Sequence, residues 1–258
     1  YEKFDKDLFE YEKKLIKTKI NKKAKTDKKI AVIGSGPAGL SLAYYLCLAG
    51  YKVKIFEAMP KSGGMLRYAI PSYRLPEDIL DKEINGILRL GIELETNTRI
   101  DKKALDNLKK KYDDVVVAVG TWRETPLCLG EERILNTAPA VGFLRSVRQG
   151  SIPESIKGKV LVIGGGISAI DAARTALRLG AKTVELVYRR TRAQMPANSE
   201  EINDALSEGV VLHELLSPAD LSQGMIKFKK MVLSDELDAS GRNRIKDTGK
   251  VLSFDFDL

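Results

Sequence analysis

Two glycine-rich turns in this chain have the residue types and spacing needed to hold a pyrophosphate against bare backbone. The first, Gly34-Ser35-Gly36-Pro37-Ala38-Gly39, follows the apolar run Ile30-Ala31-Val32-Ile33. The second, Gly164-Gly165-Gly166-Ile167-Ser168-Ala169, follows Val160-Leu161-Val162-Ile163. Each leads into a stretch rich in Ala and Leu, so each reads as strand, tight turn and helix. Glycine lets backbone N–H groups approach phosphate oxygens, and the positive end of the next helix favours the anion. About twenty residues further on, the second strand of such a unit ends in the side chain that meets a ribose. The first unit ends in Glu57, an acid that can accept hydrogen bonds from ribose hydroxyls. The second ends in Tyr188-Arg189-Arg190, a basic pair suited to a ribose 2′-phosphate. Two such units imply two different dinucleotides, one of them phosphorylated.

The elements around these turns alternate between strand and helix patterns. Strands are expected at 30–33, 53–57, 91–96, 160–163 and 183–188, and a continuous buried strand at 114–120. Helices are expected at 37–49, about 77–90, 167–179 and 199–207, with two or three weaker strands to follow. Such alternation points to an α/β fold of two Rossmann-like domains, parallel sheets with helices on both faces. Tyr1, Phe4, Leu8, Tyr11 and Leu15 form one apolar stripe at helical spacing. The organisation read from this is an N-terminal helix and basic linker over 1–28, a first dinucleotide domain over 29–150 and a second over 151–258.

The formal net charge is +8, but residues 1–30 carry eleven Lys against six acids, which places +5 of it in that arm. The remainder is nearly balanced and shows no nucleic-acid motif, so no nucleic-acid partner is expected. Residues 30–51 form 22 positions without a charge, the length of a membrane span. Four glycines, a proline and two serines interrupt them, which suits strand, turn and helix better. Cys47 and Cys128 are the only cysteines. They form no Cys-x-x-Cys pair and cannot supply the four thiolates of an iron–sulfur cluster. So few cysteines fit a reducing cytoplasm. No cluster of metal ligands is visible, and the single histidine, His213, reads as structural. Asp171 and Arg174 read as a structural pair at helical spacing.

From about Lys29 onward the text resembles the small (beta) subunit of glutamate synthase. It is also similar to the flavin and nicotinamide domains of dihydropyrimidine dehydrogenase. The words that carry this are GSGPAGLSLAYYL, GGMLRYAIPSYRLP, IGGG followed by DAARTALRLGA, and VELVYRRTRAQMPA, in that order. The resemblance implies FAD on the first unit, NADPH on the second, hydride passing between them, and electrons leaving through an iron–sulfur partner domain or subunit. Ser35 to Gly39 would then lie on the FAD pyrophosphate and Glu57 on its ribose. Gly63, Gly64, Met65 and Arg74 would wrap the flavin side, with Ile100 near the adenine. Gly165, Gly166, Ile167 and Ser168 would hold the nicotinamide cofactor's pyrophosphate. Arg189 and Arg190, with Arg192, would hold its 2′-phosphate.

The chain departs from the family pattern at Ala69, where relatives commonly have Gly, and at Ile167, where they often have Asn. The family's Gly-Asp segment, which completes the flavin site, would follow beyond Leu258, and its cysteine-rich cluster domain would precede the flavin domain. The leading expectation is therefore an NADPH-to-FAD module. A Rossmann-shaped binding subunit with an incomplete flavin site is the alternative from another class, and a self-contained NADPH oxidase or quinone reductase is a third. Hydride transfer between two cofactors needs no protein nucleophile, which accounts for the lack of an acid–base pair.

Overall fold

The computed structural model describes residues 26–123, 129, 137–152, 156–222 and 224–257. The stripe of residues 1–15 and Cys128 lie outside them. The chain divides between Trp122 and Arg123 into two compact units.

In the first unit, β1 (Lys29–Ile33), β2 (Lys52–Phe56), β3 (Glu93–Glu95) and β4 (Asp114–Val117) form a parallel sheet in the order β3-β2-β1-β4. Helices α1 (Pro37–Leu48), α2 (Met65–Tyr68), α3 (Glu77–Leu88) and α4 (Lys102–Lys111) surround it. Successive residues of a strand face opposite sides. Ile30 and Val32 therefore pack with Leu40, Ala43, Leu80 and Ile84, while Ala31 and Ile33 pack with Phe56 and Leu108. Burial on both faces is why β1 is apolar at every position after Lys29. The uncharged stretch 30–51 resolves into β1, a turn and α1. Among the described residues no helix is long and apolar enough to cross a membrane.

One expectation for this sheet fails. The run 114–120 is not a continuous buried strand: β4 stops at Val117 and lies at the sheet edge, with Val117 59% and Val119 50% exposed. A run of valines records β-propensity, but it does not supply a neighbour to cover each face.

In the second unit, β5 (Lys159–Ile163), β6 (Thr183–Tyr188) and β7 (Val211–Glu214) form a parallel sheet in that order. Helices α5 (Ala140–Arg148), α6 (Ile167–Arg178) and α7 (Ser199–Ser207) belong to this unit. Ala173 and Ala176 of α6 are fully buried against a core that includes Val160, Val184 and Leu186. Ala140 and Phe143 of α5 pack on the same core, within the compact unit that begins at Arg123.

Among the described residues the other face carries no helix, contrary to the expected helix layers on both sides. It is covered by an antiparallel sheet of β8 (Leu216–Ser222), β9 (Met225–Leu237) and β10 (Asn243–Asp255), in the order β10-β9-β8. Ile226 and Phe228 of β9, both buried, meet Val187 of β6. Alternation at the start of β9 builds this second layer. Polar groups of the same face are paired: Lys159 Nζ lies 2.9 Å from Glu185 and 3.3 Å from Asp255. His213 Nε2 lies 2.9 Å from Glu185, and its ring sits edge-on to Phe254 at 5.0 Å, in a structural role as expected. Burial pulls the Lys159 pKa down, but its bonds to Glu185 and Asp255 more than offset this and raise it.

Glu208, at the end of α7, joins that helix to α6. Its carboxylate lies 2.6 Å from Arg178 Nη1 and 2.6 Å from Arg174 Nη2. Hydrogen bonds from Arg178 and then Arg174 hold its pKa down to about 2, against an ordinary 4.5. A depressed carboxylate pKa stabilises the fold above the unfolded value and loses that effect as pH falls through the folded value. Glu208→Gln should therefore lower the melting temperature at pH 7, and the gap to the parent should close between about pH 4.5 and pH 2. A pH series of thermal melts on both proteins checks this.

Candidate functional site

Both glycine turns sit where a parallel strand hands over to a helix. Gly36 is the N-cap of α1 and Gly166 that of α6. Neither helix has a side-chain cap or an acid in its first turn. By contrast, Asp101 caps α4 and Asn198 caps α7 with side-chain oxygens. The first N–H groups of a helix lack intrahelical acceptors, so α1 and α6 present donors and positive potential to an anion. A Cβ at Gly166 would meet nothing of the protein within 4 Å, and one at Gly36 only Gly64 Cα at 3.9 Å. The chain's own packing thus demands glycine at neither position, and the open space beside each helix end suits the close approach of a phosphate. These cradles fit a dinucleotide pyrophosphate at each turn.

The first turn is backed by a second loop. Gly64, at φ +55°, lies so close that a Cβ there would come within 2.7 Å of Gly36 Cα. Gly63 N donates to Ser35 O at 3.0 Å. Met65 and Arg74 are half-buried in the residues that follow, Met65 opening α2 and Arg74 in the turn before α3. Arg67, which sequence reading passed over, is buried: its Nε donates to Ser62 O at 2.5 Å, and its guanidinium pairs with Glu77 and Asp81 of α3. It clamps the loop to that helix.

Glu57 is buried at the end of β2 and is already engaged. Oε2 accepts from Ser35 N at 2.9 Å and from the Ser35 hydroxyl, and Oε1 accepts from Met59 N at 2.8 Å. A carboxylate has about four acceptor sites, so one remains for a further donor. Ser35 has no exposed surface: its N–H and hydroxyl donate to Glu57 and its carbonyl accepts from Gly63 N, so contrary to expectation it braces the turn and does not face a ligand. Pro37 and Ala38 are exposed on the first turn of α1, while Gly39 is buried against Gly34. Ile100 packs at the edge of the core formed by Ala31, Ile33 and Phe56.

In the second unit, Gly164 turns the chain at φ +145°, and Gly165 rests on the ring of Tyr188, where a Cβ would clash at 2.6 Å. Ile167 and Ser168 are exposed at the start of α6. The three arginines separate. Arg189 and Arg192 are exposed, Arg192 reaching Asn203 with its guanidinium. Arg190 is only 4% exposed, with Nη2 2.6 Å from Asp238 and Nε 2.8 Å from Asn243 O. Beside the turn lies a cleft of about 550 Å³, bordered by Thr191, Arg192, Met195, Ala197, Ser199 and Glu214 among others. Ala197 N donates to Gly165 O at 3.1 Å, which joins this cleft wall to the glycine turn. Among the described residues no group of His, Cys, Asp or Glu could hold a metal.

A family model described as pyridine nucleotide-disulphide oxidoreductase matches residues 28–215. The chain belongs to that family. With two cysteines 81 positions apart, this member carries no adjacent disulphide pair. The chain is 47% identical over 225 residues to the NADP(+)-dependent formate dehydrogenase subunit beta of Moorella thermoacetica, covering 84% of this chain and 32% of that protein. It is 35% identical over 237 residues to the glutamate synthase [NADPH] small chain of Escherichia coli strain K12, covering 85% and 50% respectively, so the resemblance read from the motifs holds. The chain thus spans from about a third to half of the length of these relatives. A solved structure of Mycobacterium tuberculosis FprA in complex with NADPH matches with a TM-score of 0.75 over 89% of this chain and 69% of that one. At 21% identity that likeness shows the fold alone, the expected α/β fold with parallel sheets.

Gly64→Ala forces a side chain onto Gly36 at a backbone angle that L-residues rarely adopt. It should cost about 1–3 kcal/mol of stability and displace the first turn. A lowered melting temperature together with weakened flavin binding, both followed by absorbance, is the expected result.

Proposed function

We propose that the first unit binds FAD, the second binds NADPH, and the chain serves as the module that passes reducing equivalents between them. When bound, the nicotinamide supplies hydride and the flavin takes up two electrons and releases them one at a time. The chain's own residues bind and orient. The α1 and α6 N-termini take the two pyrophosphates, Glu57 takes a ribose hydroxyl, and Gly63, Gly64, Met65 and Arg74 border the flavin side. Arg189 and Arg192 take the 2′-phosphate.

The observation that carries this reading is the opposite chemistry at two equivalent strand ends. After β2 stands a buried carboxylate with one acceptor site spare; after β6 stand two exposed guanidinium groups. A carboxylate selects a ribose with free hydroxyls and repels a phosphate, whereas guanidinium groups do the reverse. We infer further that the electrons go to an iron–sulfur partner domain or subunit, as the motif resemblance implies. Two cysteines cannot ligate a cluster within this chain, and two relatives are named as a subunit and a small chain. A cytoplasmic setting accords with the sparse cysteines.

Charge-assisted hydrogen bonds to the 2′-phosphate contribute roughly 1.5–3 kcal/mol each. Replacing Arg189 and Arg192 together with Ala should weaken NADPH binding at least about tenfold and leave NADH nearly unchanged. Isothermal titration with both cofactors measures this, and equal losses would remove the assignment. Flavin released from the first unit by heat should chromatograph as FAD, since a pyrophosphate turn and a ribose acceptor have nothing to hold on FMN. Recovery of FMN alone would overturn that half of the reading.

A further inference from the structure

The turn that presents Arg189 and Arg192 is fixed from two sides. On the β7 side, Leu215 N donates to Arg190 O at 3.1 Å, and Glu214 accepts from Arg192 N. Leu215 holds φ +59° to make that turn, a conformation unusual for a leucine. Beneath it, Tyr188 donates its hydroxyl to Gln194 O at 3.0 Å.

On the other side stands the tip of the β9–β10 hairpin, far from both glycine turns in sequence. Asp238 and the Asn243 carbonyl take the buried Arg190 guanidinium. The Asn243 side chain accepts from Gln194 Nε2 at 2.7 Å and donates to Ser234 O at 2.8 Å. The tip is itself braced, because Asp238 Oδ1 also accepts from Ser240 N at 2.8 Å and Arg242 N at 3.1 Å. Tyr188, Arg190, Arg192 and Gln194 are therefore each tethered, while the Arg189 side chain is left to solvent.

Stability alone does not account for this network. Arg190 Nη1, Gln194 Oε1 and Ser234 Oγ are buried without a hydrogen-bond partner, and each such atom is costly. Apolar residues of similar volume commonly hold two layers together as well as a buried ion pair does or better. What the network provides is a defined geometry for the turn. Geometry matters there because two cations must converge on one phosphate group.

We propose that Asp238 and Asn243 are positioning residues for cofactor discrimination: through Arg190 and Gln194 they set the turn so that Arg189 and Arg192 converge on the 2′-phosphate. Arg190 then belongs to the support and not to the phosphate contact. The inference rests on the reading of the second unit as an NADPH site. Loosening the tip should harm only the part of binding that NADH lacks, because the pyrophosphate contacts of α6 come from a different segment.

The test uses the full chain with Asp238→Asn, Asn243→Ser and Asp238→Glu, titrated calorimetrically with NADPH and with NADH, and melted in parallel. The first two variants should lose about fivefold or more in NADPH affinity and change less than about twofold for NADH, with Asp238→Glu retaining most of the preference. Loss of both cofactors alike, or an unchanged ratio, overturns the positioning role while leaving the NADPH reading intact. If the Arg189→Ala, Arg192→Ala protein keeps the parent's preference, the underlying reading falls and the inference with it. Should Asp238→Asn fail to fold, Asn243→Ser decides alone, since it leaves the Arg190–Asp238 pair in place.

Discussion

A helix that is to receive a phosphate must keep its first N–H groups unmatched by the protein. This constraint shapes both units. α1 and α6 are the helices that follow the glycine turns, and both lack a capping oxygen and an early acid. Uncapped ends are unfavourable by themselves, and each follows directly on a parallel strand that fixes the turn in front: β1, interior to its sheet and buried on both faces, and β5, the edge strand of the second sheet. Everything that could intrude is turned away. Ser35 points inward to Glu57, and Gly63 and Gly64 bring in a second loop with no side chain toward the first.

In the proposed reading the two units hold the ribose end by different means. In the first, one carboxylate does two jobs: Glu57 ties its own glycine turn and keeps an acceptor site for a ligand. In the second the jobs are divided, with Arg190 spent on structure and Arg189 and Arg192 left facing outward. Doubly charged phosphate calls for more than one cation, and an exposed cation has no fixed position unless the backbone beneath it has one.

Much of this was legible in the sequence because it rests on local pattern. The turns at Gly34 and Gly164, the strand before each and the helix after each follow from glycine spacing and apolar runs. The ends of those units at Glu57 and Tyr188 follow from length. What was not legible depends on long-range packing. Arg189 and Arg190 are adjacent identical residues, and only the presence of Asp238 and Asn243 beside one of them makes their surroundings differ. The Asp238–Asn243 turn could have been read from its Ser240-Gly241 centre, but its partner could not. Likewise 114–120 announces a strand, yet its position at the sheet edge is decided by the order of neighbours, and the covering of the second sheet by β8–β10 is set by how that meander folds back.

Trp122 is the single tryptophan of the chain. It lies at the end of the first unit with its ring 6.2 Å from that of Tyr68. Tyr68 in turn bonds through its hydroxyl to the backbone of Lys61, at the base of the loop that backs the first glycine turn. The molecule therefore contains one indole fluorophore, and it is seated beside the very loop that a flavin would touch. Its emission is a label-free optical record of that loop, and an isoalloxazine drawn into the first unit would report its own arrival by quenching it.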